Sequence, residues 1–567
     1  MNLKIVGLNK KSITIGILFT WLWLGMLIIL PNNGGAGLAL PQNLITWSVV
    51  FLLFASTFSQ HSLNEIFHLP ASIILLLSGC VLWILPLLWT LHYDWFLNAI
   101  PRVLALIGYI LLFLRLRLII RGACMRKWML YAVIGSSLLQ VGIAIGQWWG
   151  NSTVRPSGSF QQVNVLASYL ATGFACALFV FIRQNGAYLS RRKRMGLLTT
   201  VLSGGTLVVL PCMLILLQSR LGLLGAVISA AVLFTHCRRH SDPRRLQLAC
   251  FFIMSSIVLG VLWLHVGSVV IPDMAVAQVS KVGSTSSRLY MLRLTWQLVL
   301  TNPLIGNGYG SFEAVFGQRA QDFFPGLEAD TVTHPHNELL LAWFEGGMTA
   351  LLGFIMMVTG VLRYLWLPTA QKWSGLALLT PLAVHMNLEY PLYLSSAHGV
   401  VLVLLLCVAG PEGVQTEKGD TKAEWPFVLC RMVGIAVSIG GLIFMLTGLV
   451  TQHRLTMIER LEMRPLTYNV DHTLTSLPNV ISQWSRLQFD RHVALLLRYN
   501  ISHDAKLLTA FSQWGRQYLM THNNPMVYDS LLRIARSENS PDMLDLCLQA
   551  HGRWPKNSRF NCAEMRK

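Results

Sequence analysis

The stretch QQVNVLASYLATGFACALFVFI, residues 161–182, contains no Asp, Glu, Lys, Arg or His. An apolar segment of about 20 residues can cross the hydrocarbon core of a bilayer as a helix. Similar runs recur along the chain, and only 12% of its 567 residues are charged, about half the fraction in an ordinary soluble protein. We therefore predict an all-α polytopic membrane protein with about 13 transmembrane helices. The runs lie near 13–30, 42–58, 69–91, 98–120, 127–148, 161–182, 195–217, 220–236, 246–271, 346–366, 374–392, 394–410 and 427–450.

Segments rich in Arg and Lys separate several of these runs, and such segments tend to stay in the cytoplasm. The clearest are 115–127, 191–194 and 238–245. Alternation along the chain then places the N-terminus inside and three other segments outside. The outside segments are 149–160, an insertion at 272–345 and the tail after Val450. Topology therefore explains most of the net charge of +19, and we expect no nucleic-acid partner.

We predict two domains: a transmembrane body over 1–450, which includes the insertion 272–345, and a helical-hairpin domain over 451–567. The first run follows three lysines and has no clear cleavage site, so we interpret it as a retained anchor. The tail combines helical periodicity with Gly, Pro and Asn at its breaks. None of the ten cysteines has metal-site spacing. Cys547 and Cys562, alone in the tail, could pair in an oxidising compartment or remain free thiols.

Two local features are predicted within the insertion. Residues 286–300 have the pattern of an amphipathic helix, capped by Ser286 or Ser287. The following stretch GNGYGSF, residues 306–312, contains GxGxG. No strand precedes it, so it is not a dinucleotide-binding fingerprint. We expect a flexible turn there.

The stretch THPHNELL, residues 333–340, is the main candidate for chemistry on the outer side. Pro335 fits the first turn of a helix, where its missing N–H costs nothing. His336 would then lie at the positive end of the helix dipole, which favours a neutral imidazole able to accept a proton. The alternative is that both histidines are loop or cap residues.

Two outward arginines lie beside apolar runs. Arg220 follows Ser219 at the junction of two runs, and Arg288 follows Ser286 and Ser287 at the expected start of a helix. Arginine is always charged and can bind a diphosphate through both arms of its guanidinium group. Alternatively, Arg220 only reaches the lipid headgroups, and an acidic neighbour compensates Arg288.

Four polar residues mark two further places at the outer membrane edge. Gln162 and Asn164 lie where the outward segment 149–160 re-enters the membrane, in a position also suited to helix capping. Glu389 lies near the outer end of a late run, where a carboxylate is costly unless paired or hydrated. Tyr390 beside it could equally be an ordinary interfacial residue.

The order of these motifs resembles that of the bacterial O-antigen ligase superfamily (Wzy/WaaL/PglL-like). It comprises Q-x-N at 162–164, S-R-x-G at 219–222, S-R at 287–288, H-N-E at 336–338 and E-Y-P at 389–391. The resemblance covers roughly residues 155–400. It is greatest to the PglL-type O-linked protein oligosaccharyltransferases, which include pilin glycosylation ligases, and the helical tail is similar to the extra region of that branch.

This resemblance implies a GT-C-type membrane glycosyltransferase of the bacterial inner membrane. Its donor would be an undecaprenyl-diphosphate-linked oligosaccharide, and its acceptor a periplasmic protein such as a type IV pilin. His336, before Asn337, matches the essential histidine of the family, and Arg220 and Arg288 match its diphosphate-binding arginines. Gln162 and Tyr390 match two further positions of the protein-glycosylating branch. An acidic residue is missing beside Gln162, so we assign no carboxylate base there.

We therefore predict an inverting transfer in which His336 is the base and no metal or other cofactor takes part. Arg220, Arg288 and His336 should converge on one outward cavity. Ligation onto lipopolysaccharide core and O-antigen polymerisation are alternatives on the same fold, because a fold does not define an acceptor. A transporter, a more distant alternative, predicts charges deep within several spans.

Overall fold

The computed structural model describes residues 10–58, 69–150, 155–183, 193–238, 241–270, 282–323, 331–366, 372–411 and 425–562. Every regular element among these residues is helical, which confirms the predicted all-α class. The helices before the insertion are α1 (Lys10–Trp23), α2 (Pro41–Phe58), α3 (Ala71–Ile84), α4 (Tyr93–Ile119), α5 (Ala123–Gly150), α6 (Val163–Ile182), α7 (Lys193–Leu216), α8 (Arg220–Cys237) and α9 (Pro243–Val270). The next are α10 (Val282–Thr301), α11 (Phe312–Phe323), α12 (Glu338–Leu365), α13 (Lys372–Leu388), α14 (Pro391–Leu394), α15 (Ser396–Ala409) and α16 (Trp425–Arg460). The tail adds α17 (Arg464–Tyr468), α18 (Val470–Thr475), α19 (Trp484–Ser502), α20 (Ala505–Tyr518), α21 (Pro525–Ser537) and α22 (Met543–Arg553).

Many of these helices can cross a membrane, so the protein is a polytopic membrane protein. Within the described part of the chain, nine are long and apolar enough. They include Val163–Ile182, which covers most of the stretch 161–182, and three shorter apolar helices lie on further predicted runs. The remaining run, 374–392, falls on α13, a helix of 17 residues with Pro381 inside it.

Some predicted features lie partly outside the described residues. Arg191 and Arg192 of the second basic segment do so, as do 272–281 and 324–330 of the insertion. The described residues 282–323 of the insertion form α10, the turn at 302–311 and α11.

The chain divides into two compact units. One comprises Met1–Ile73, Leu106–Ser280 and Val361–Leu449, and the other Ile74–Ala105, Lys281–Gly360 and Val450–Lys567. In the second unit the tail packs on the insertion, because the buried Glu313 carboxylate accepts a hydrogen bond from Asn523 N–H (2.8 Å) and lies 3.1 Å from His522 Nδ1. The predicted division into a body over 1–450 and a separate domain over 451–567 stays a prediction.

The tail is mostly helical, as the periodicity predicted. Helices α19 to α22 end at Ser502, Tyr518, Ser537 and Arg553, close to the breaks that Gly, Pro and Asn predict near 500–503, 521–525, 539–541 and 552–557. Their apolar faces form a core that includes Phe511, Tyr528 and Phe560. Cys547 and Cys562 form a disulfide, with their Cα atoms 5.9 Å apart, so the pairing that the sequence left open is present.

Two acidic side chains, of which Asp490 is buried and Glu459 partly buried, lie close together where α16 meets α19. Arg486 holds the carboxylate of Glu459 through two hydrogen bonds of 2.5 and 2.7 Å. Asp490, one turn further along α19, is only 2% exposed. Burial, and next the negative charge of Glu459, raises the pKa of Asp490 to about 8. Asp490 is therefore protonated at neutral pH in the folded protein.

We expect the stability of the tail to fall as pH rises from about 4 to about 8. An aspartate in the unfolded chain titrates near pH 3.9, so folding takes up a proton between that value and the raised pKa. The stabilisation is complete below about pH 4 and is lost as the pH rises through the folded pKa, by up to about 1.4 kcal/mol per pH unit. Thermal unfolding of the wild type, Asp490→Asn and the exposed control Asp471→Asn should show a flatter pH profile for Asp490→Asn alone. Parallel profiles for all three proteins would contradict the assignment.

Candidate functional site

The helix that carries the H-N-E motif begins later than predicted. Helix α12 starts at Glu338, and Asn337 is its cap: its Oδ1 accepts a hydrogen bond from Leu340 N–H at 2.9 Å. The prediction that Pro335 lies in the first helical turn is therefore wrong. An asparagine side chain can satisfy a free N–H at a helix start, so Asn337 ends the irregular segment, and His336 precedes the cap.

His336 has a left-handed backbone conformation with φ of 62°. This conformation is uncommon for a residue with a side chain and indicates local strain. The buried His334 ring supports it, because Nδ1 of His334 accepts a hydrogen bond from His336 N–H at 2.9 Å. The other ring nitrogen of His334 lies 3.5 Å from a carboxylate oxygen of Glu338. His334 therefore positions its neighbour, whereas the side chain of His336 is half-buried.

A buried ion pair fixes the first turns of α12. Glu345 pairs with Arg102 of α4, and its other oxygen accepts a hydrogen bond from Gly310 N–H at 3.0 Å. The Arg102 guanidinium also lies over the ring of the fully buried Tyr309. Arg102 and Glu345 were missed in the sequence, although a charge within or beside an apolar run is itself a signal of a partner.

The turn at 306–310 packs against a break in α12. The helix is interrupted at Gly347, which has φ of 61°. Backbone groups near the break bond to the turn, since Asn307 N–H donates to Phe344 C=O at 2.8 Å and Gly308 N–H to Glu345 C=O at 2.9 Å. A turn was predicted correctly, but it is tightly packed rather than the flexible one expected.

Arg288 lies on α10, in the same unit as His336. The helix begins at Val282, so Ser286 and Ser287 lie inside it and do not cap it, contrary to prediction. Arg288 is the half-buried seventh residue of the helix and therefore lies beyond its first turn, not at the helix start where it was expected. The predicted convergence with Arg220, which belongs to the other unit, stays a prediction.

Arg220 is the exposed first residue of α8. Ser219 before it is the cap, with its hydroxyl accepting a hydrogen bond from Gly222 N–H at 3.3 Å. The link to α7 is only three residues long, and its Gln218 has a left-handed φ of 48°. Arg155 holds this link by donating to Leu217 C=O at 3.1 Å. The short link therefore fixes the backbone that carries Arg220.

Asn164 connects this link to Glu389. Its amide donates to a Glu389 carboxylate oxygen at 2.7 Å, and its oxygen accepts from the Ser219 hydroxyl at 2.8 Å. Gln162 occupies the cap position of α6, but its exposed side chain makes no capping bond. Asn164 therefore supports the structure, whereas Gln162 presents its amide to the surface. Tyr390, half-buried, precedes the short helix α14.

Within the first unit, the series of hydrogen-bonded side chains continues from Glu389. Its second carboxylate oxygen lies 3.2 Å from Nε2 of His385, whose Nδ1 lies 2.6 Å from the Ser168 hydroxyl. Ser168 lies 3.0 Å from Nε2 of His398, and Nδ1 of His398 lies 2.9 Å from the Ser395 hydroxyl. All five side chains are buried. This series of hydrogen bonds accounts for the burial of the Glu389 carboxylate, because each polar group in it has a partner.

No group of three His, Cys, Asp or Glu side chains that could hold a metal ion occurs within the described ranges. The predicted independence of metals stays a prediction.

Two family models match the chain. Residues 205–355 match the model described as O-Antigen ligase, and residues 373–532 match the model described as virulence factor membrane-bound polymerase, C-terminal. The first region contains Arg220, Arg288 and His336, and the second contains Glu389, Tyr390 and the first part of the tail. No curated protein matches the chain.

Proposed function

We propose that this chain, which the two matches assign to the O-antigen ligase superfamily, is an O-linked protein oligosaccharyltransferase. The matches support the coarser statement that it is a membrane enzyme that transfers glycans. The finer proposal is that it moves an oligosaccharide from undecaprenyl diphosphate to Ser or Thr hydroxyls of periplasmic proteins such as pilins. The observation that carries the transfer chemistry is the left-handed His336, held by the buried His334 within the O-antigen ligase region, and the helical tail favours a protein acceptor.

The proposed mechanism needs a base and a diphosphate clamp. The polyprenyl diphosphate is already a good leaving group. His336 takes the proton of the acceptor hydroxyl, a role worth about 10²–10⁴-fold in rate. Arg220 and Arg288 stabilise the negative charge that develops on the diphosphate. Direct displacement inverts the anomeric carbon.

The supporting residues in this proposal hold those groups in place. Asn337 caps α12 directly after His336 and so fixes the point at which the helix begins behind the base. Asn164 accepts a hydrogen bond from Ser219, the cap that precedes Arg220, and donates one to Glu389. Gln162 and Tyr390 are proposed to contact substrate, because the Gln162 side chain is exposed and Tyr390 is half-buried.

A second candidate function is glycan polymerisation. It is favoured by the match of residues 373–532 to the C-terminal region of a membrane-bound polymerase. Polymerisation, or ligation onto lipopolysaccharide core, would use the same donor and the same base. The acceptor alone separates these activities.

Deletion of the gene tests the proposal. We expect pilins of the deletion strain to lose their glycan mass while its lipopolysaccharide ladder stays intact. Purified protein should also transfer glycan from the lipid donor to purified pilin. Unchanged pilin mass together with loss of the lipopolysaccharide ladder would identify a lipopolysaccharide ligase. Lipopolysaccharide that still carries O-antigen, but in shortened polysaccharide chains, would identify a polymerase.

We expect the C-terminal tail to be periplasmic and the N-terminus cytoplasmic. Alkaline phosphatase, which is active only outside the cytoplasm, should be active when fused after Lys567. The same reporter inserted in the basic segment 191–194 should be inactive and serves as the matched control. The reverse pattern would overturn the proposed orientation in the inner membrane.

Transfer in vitro should persist in excess EDTA, because the proposed steps use only side chains of the chain itself. Initial rates with EDTA, with added Mg²⁺ and with neither should agree. Loss of activity in EDTA and its recovery with Mg²⁺ would contradict metal independence.

A further inference from the structure

A cavity of about 220 Å³ opens in the first unit, beside the stretch that precedes Gln162. Its walls come from residues 26–32, the start of α2, Gln147 near the end of α5, the loop 157–161 and residues 394–397. This volume is large enough to hold several water molecules. A single sugar ring with its substituents occupies a comparable space.

The lining of this cavity is polar but uncharged. Of its 18 residues, none is Asp, Glu, Lys, Arg or His. Five carry side-chain amides, four carry hydroxyls, and the others are apolar or Gly. A diphosphate or a carboxylate would find no counter-charge here, and burying an unpaired charge is costly. A neutral ligand with several hydroxyl groups fits this lining.

Two of the amides hold the walls in place. Gln147 donates to Gly158 C=O at 2.7 Å and accepts from Ser157 N–H at 3.0 Å and Gly158 N–H at 2.9 Å. Asn43 donates to Gly37 C=O at 2.8 Å and accepts from Ser396 N–H at 2.7 Å. The cavity is therefore pre-formed, which lowers the entropic cost of binding.

Three other polar side chains of the lining remain available to a ligand. The Gln161 amide and the hydroxyls of Ser157 and Ser159 make no hydrogen bond to any residue that the structure describes. All three come from one short loop, whose Phe160 adds an aromatic ring to the wall. The polar side chains of the loop can bond to the hydroxyl groups at the edge of a sugar ring. Its aromatic ring can pack against the apolar face of the same sugar.

We propose that this cavity binds one neutral sugar residue of the lipid-linked glycan and excludes acidic sugars at that position. The proposal rests on the proposed function for the origin of the glycan. It adds that Gln161 helps to determine which sugar is accepted, by bonding to its hydroxyl or amide substituents.

Sugar binding can be tested apart from transfer. The protein is placed in lipid nanodiscs, because maltoside detergents carry a sugar of their own. The probes are methyl N-acetylglucosaminide and methyl glucuronide at millimolar concentration, observed by saturation-transfer NMR. We expect a signal for the neutral probe only, and a loss of at least about tenfold in affinity, about 1.4 kcal/mol, in Gln161→Trp, which fills the cavity.

Two further variants keep the proposal falsifiable. Gln161→Ala should weaken the neutral probe without filling the cavity, and Gln247→Trp, at an exposed glutamine of α9, should bind it like the wild type. No signal with the wild type, equal signals for both probes, or unchanged binding in Gln161→Trp would each overturn the proposal. Wild-type binding of the neutral probe without pilin glycosylation would leave the cavity assignment intact and remove only the proposed acceptor.

Discussion

His336→Ala is expected to lower transfer by about 10²–10⁴-fold while the protein stays folded and still binds the lipid-linked donor. The imidazole is the proposed base, so its loss costs rate and not donor binding. His336→Gln should be equally inactive, because an amide keeps a hydrogen bond but accepts no proton at neutral pH. The transfer rate to purified pilin and the dissociation constant of the lipid-linked donor should be measured in parallel for each variant.

The control for this experiment is His503→Ala. His503 has the same left-handed backbone, with φ of 56°, at the end of α19 in the tail. It shares the conformational effect of the substitution but has no proposed role, so its transfer rate should match the wild type. Near-normal turnover by His336→Gln would show that the histidine only positions groups.

Arg288→Ala separates the clamp from the base. Loss of a cation that binds diphosphate weakens donor binding as well as rate. The donor dissociation constant should therefore rise in Arg288→Ala and stay constant in His336→Ala. An unchanged dissociation constant in Arg288→Ala would remove that arginine from the donor site.

Arg102→Met is expected to cause the largest loss of stability, about 3–5 kcal/mol. The substitution leaves the buried carboxylate of Glu345 without its cation and removes the stacking on Tyr309. Thermal unfolding of the purified protein measures the loss. Glu345 also holds the turn that packs against the break in α12. Its displacement should therefore shift the backbone that carries His336, and the transfer rate should fall.

Two variants test this explanation. In the double variant Arg102→Met and Glu345→Gln, the amide can still accept from Gly310 N–H and no buried charge remains, so most of the stability should return. Arg319→Ala breaks an ion pair whose side chains are both about half exposed, and should cost less than about 1 kcal/mol. Equal losses in Arg102→Met and Arg319→Ala would contradict the importance of the buried pair.

The features that could be read from the sequence are those set by neighbouring residues. An apolar run such as 161–182 forms a helix in a membrane because its backbone must bond internally where water is absent. The breaks in the tail could be predicted for a similar local reason, since clusters of Gly, Pro and Asn between periodic segments favour turns. The order of short motifs likewise indicated the superfamily that the two family models support.

Local signals were less reliable where two residues could serve the same purpose. Pro335 and Asn337 both suit a helix start, and only the bond from Leu340 N–H to Asn337 shows which one caps α12. Ser286 and Ser287 are good caps by composition, yet the helix continues through them to Val282. Competing caps differ by about 1 kcal/mol, so tertiary packing decides between them.

The sequence by itself determined the helical class, the membrane association and the superfamily, whereas the outward position of His336 stays a prediction. Only the tertiary structure revealed the ion pair Arg102–Glu345, the series of hydrogen-bonded side chains that links Ser219 to Ser395, and the left-handed backbone of His336. The partners Ser168 and His385 are 217 positions apart, and Arg102 and Glu345 are 243 apart. No local pattern records such pairs, because the cost of burying each polar group is offset only by whichever distant residue the fold brings to it.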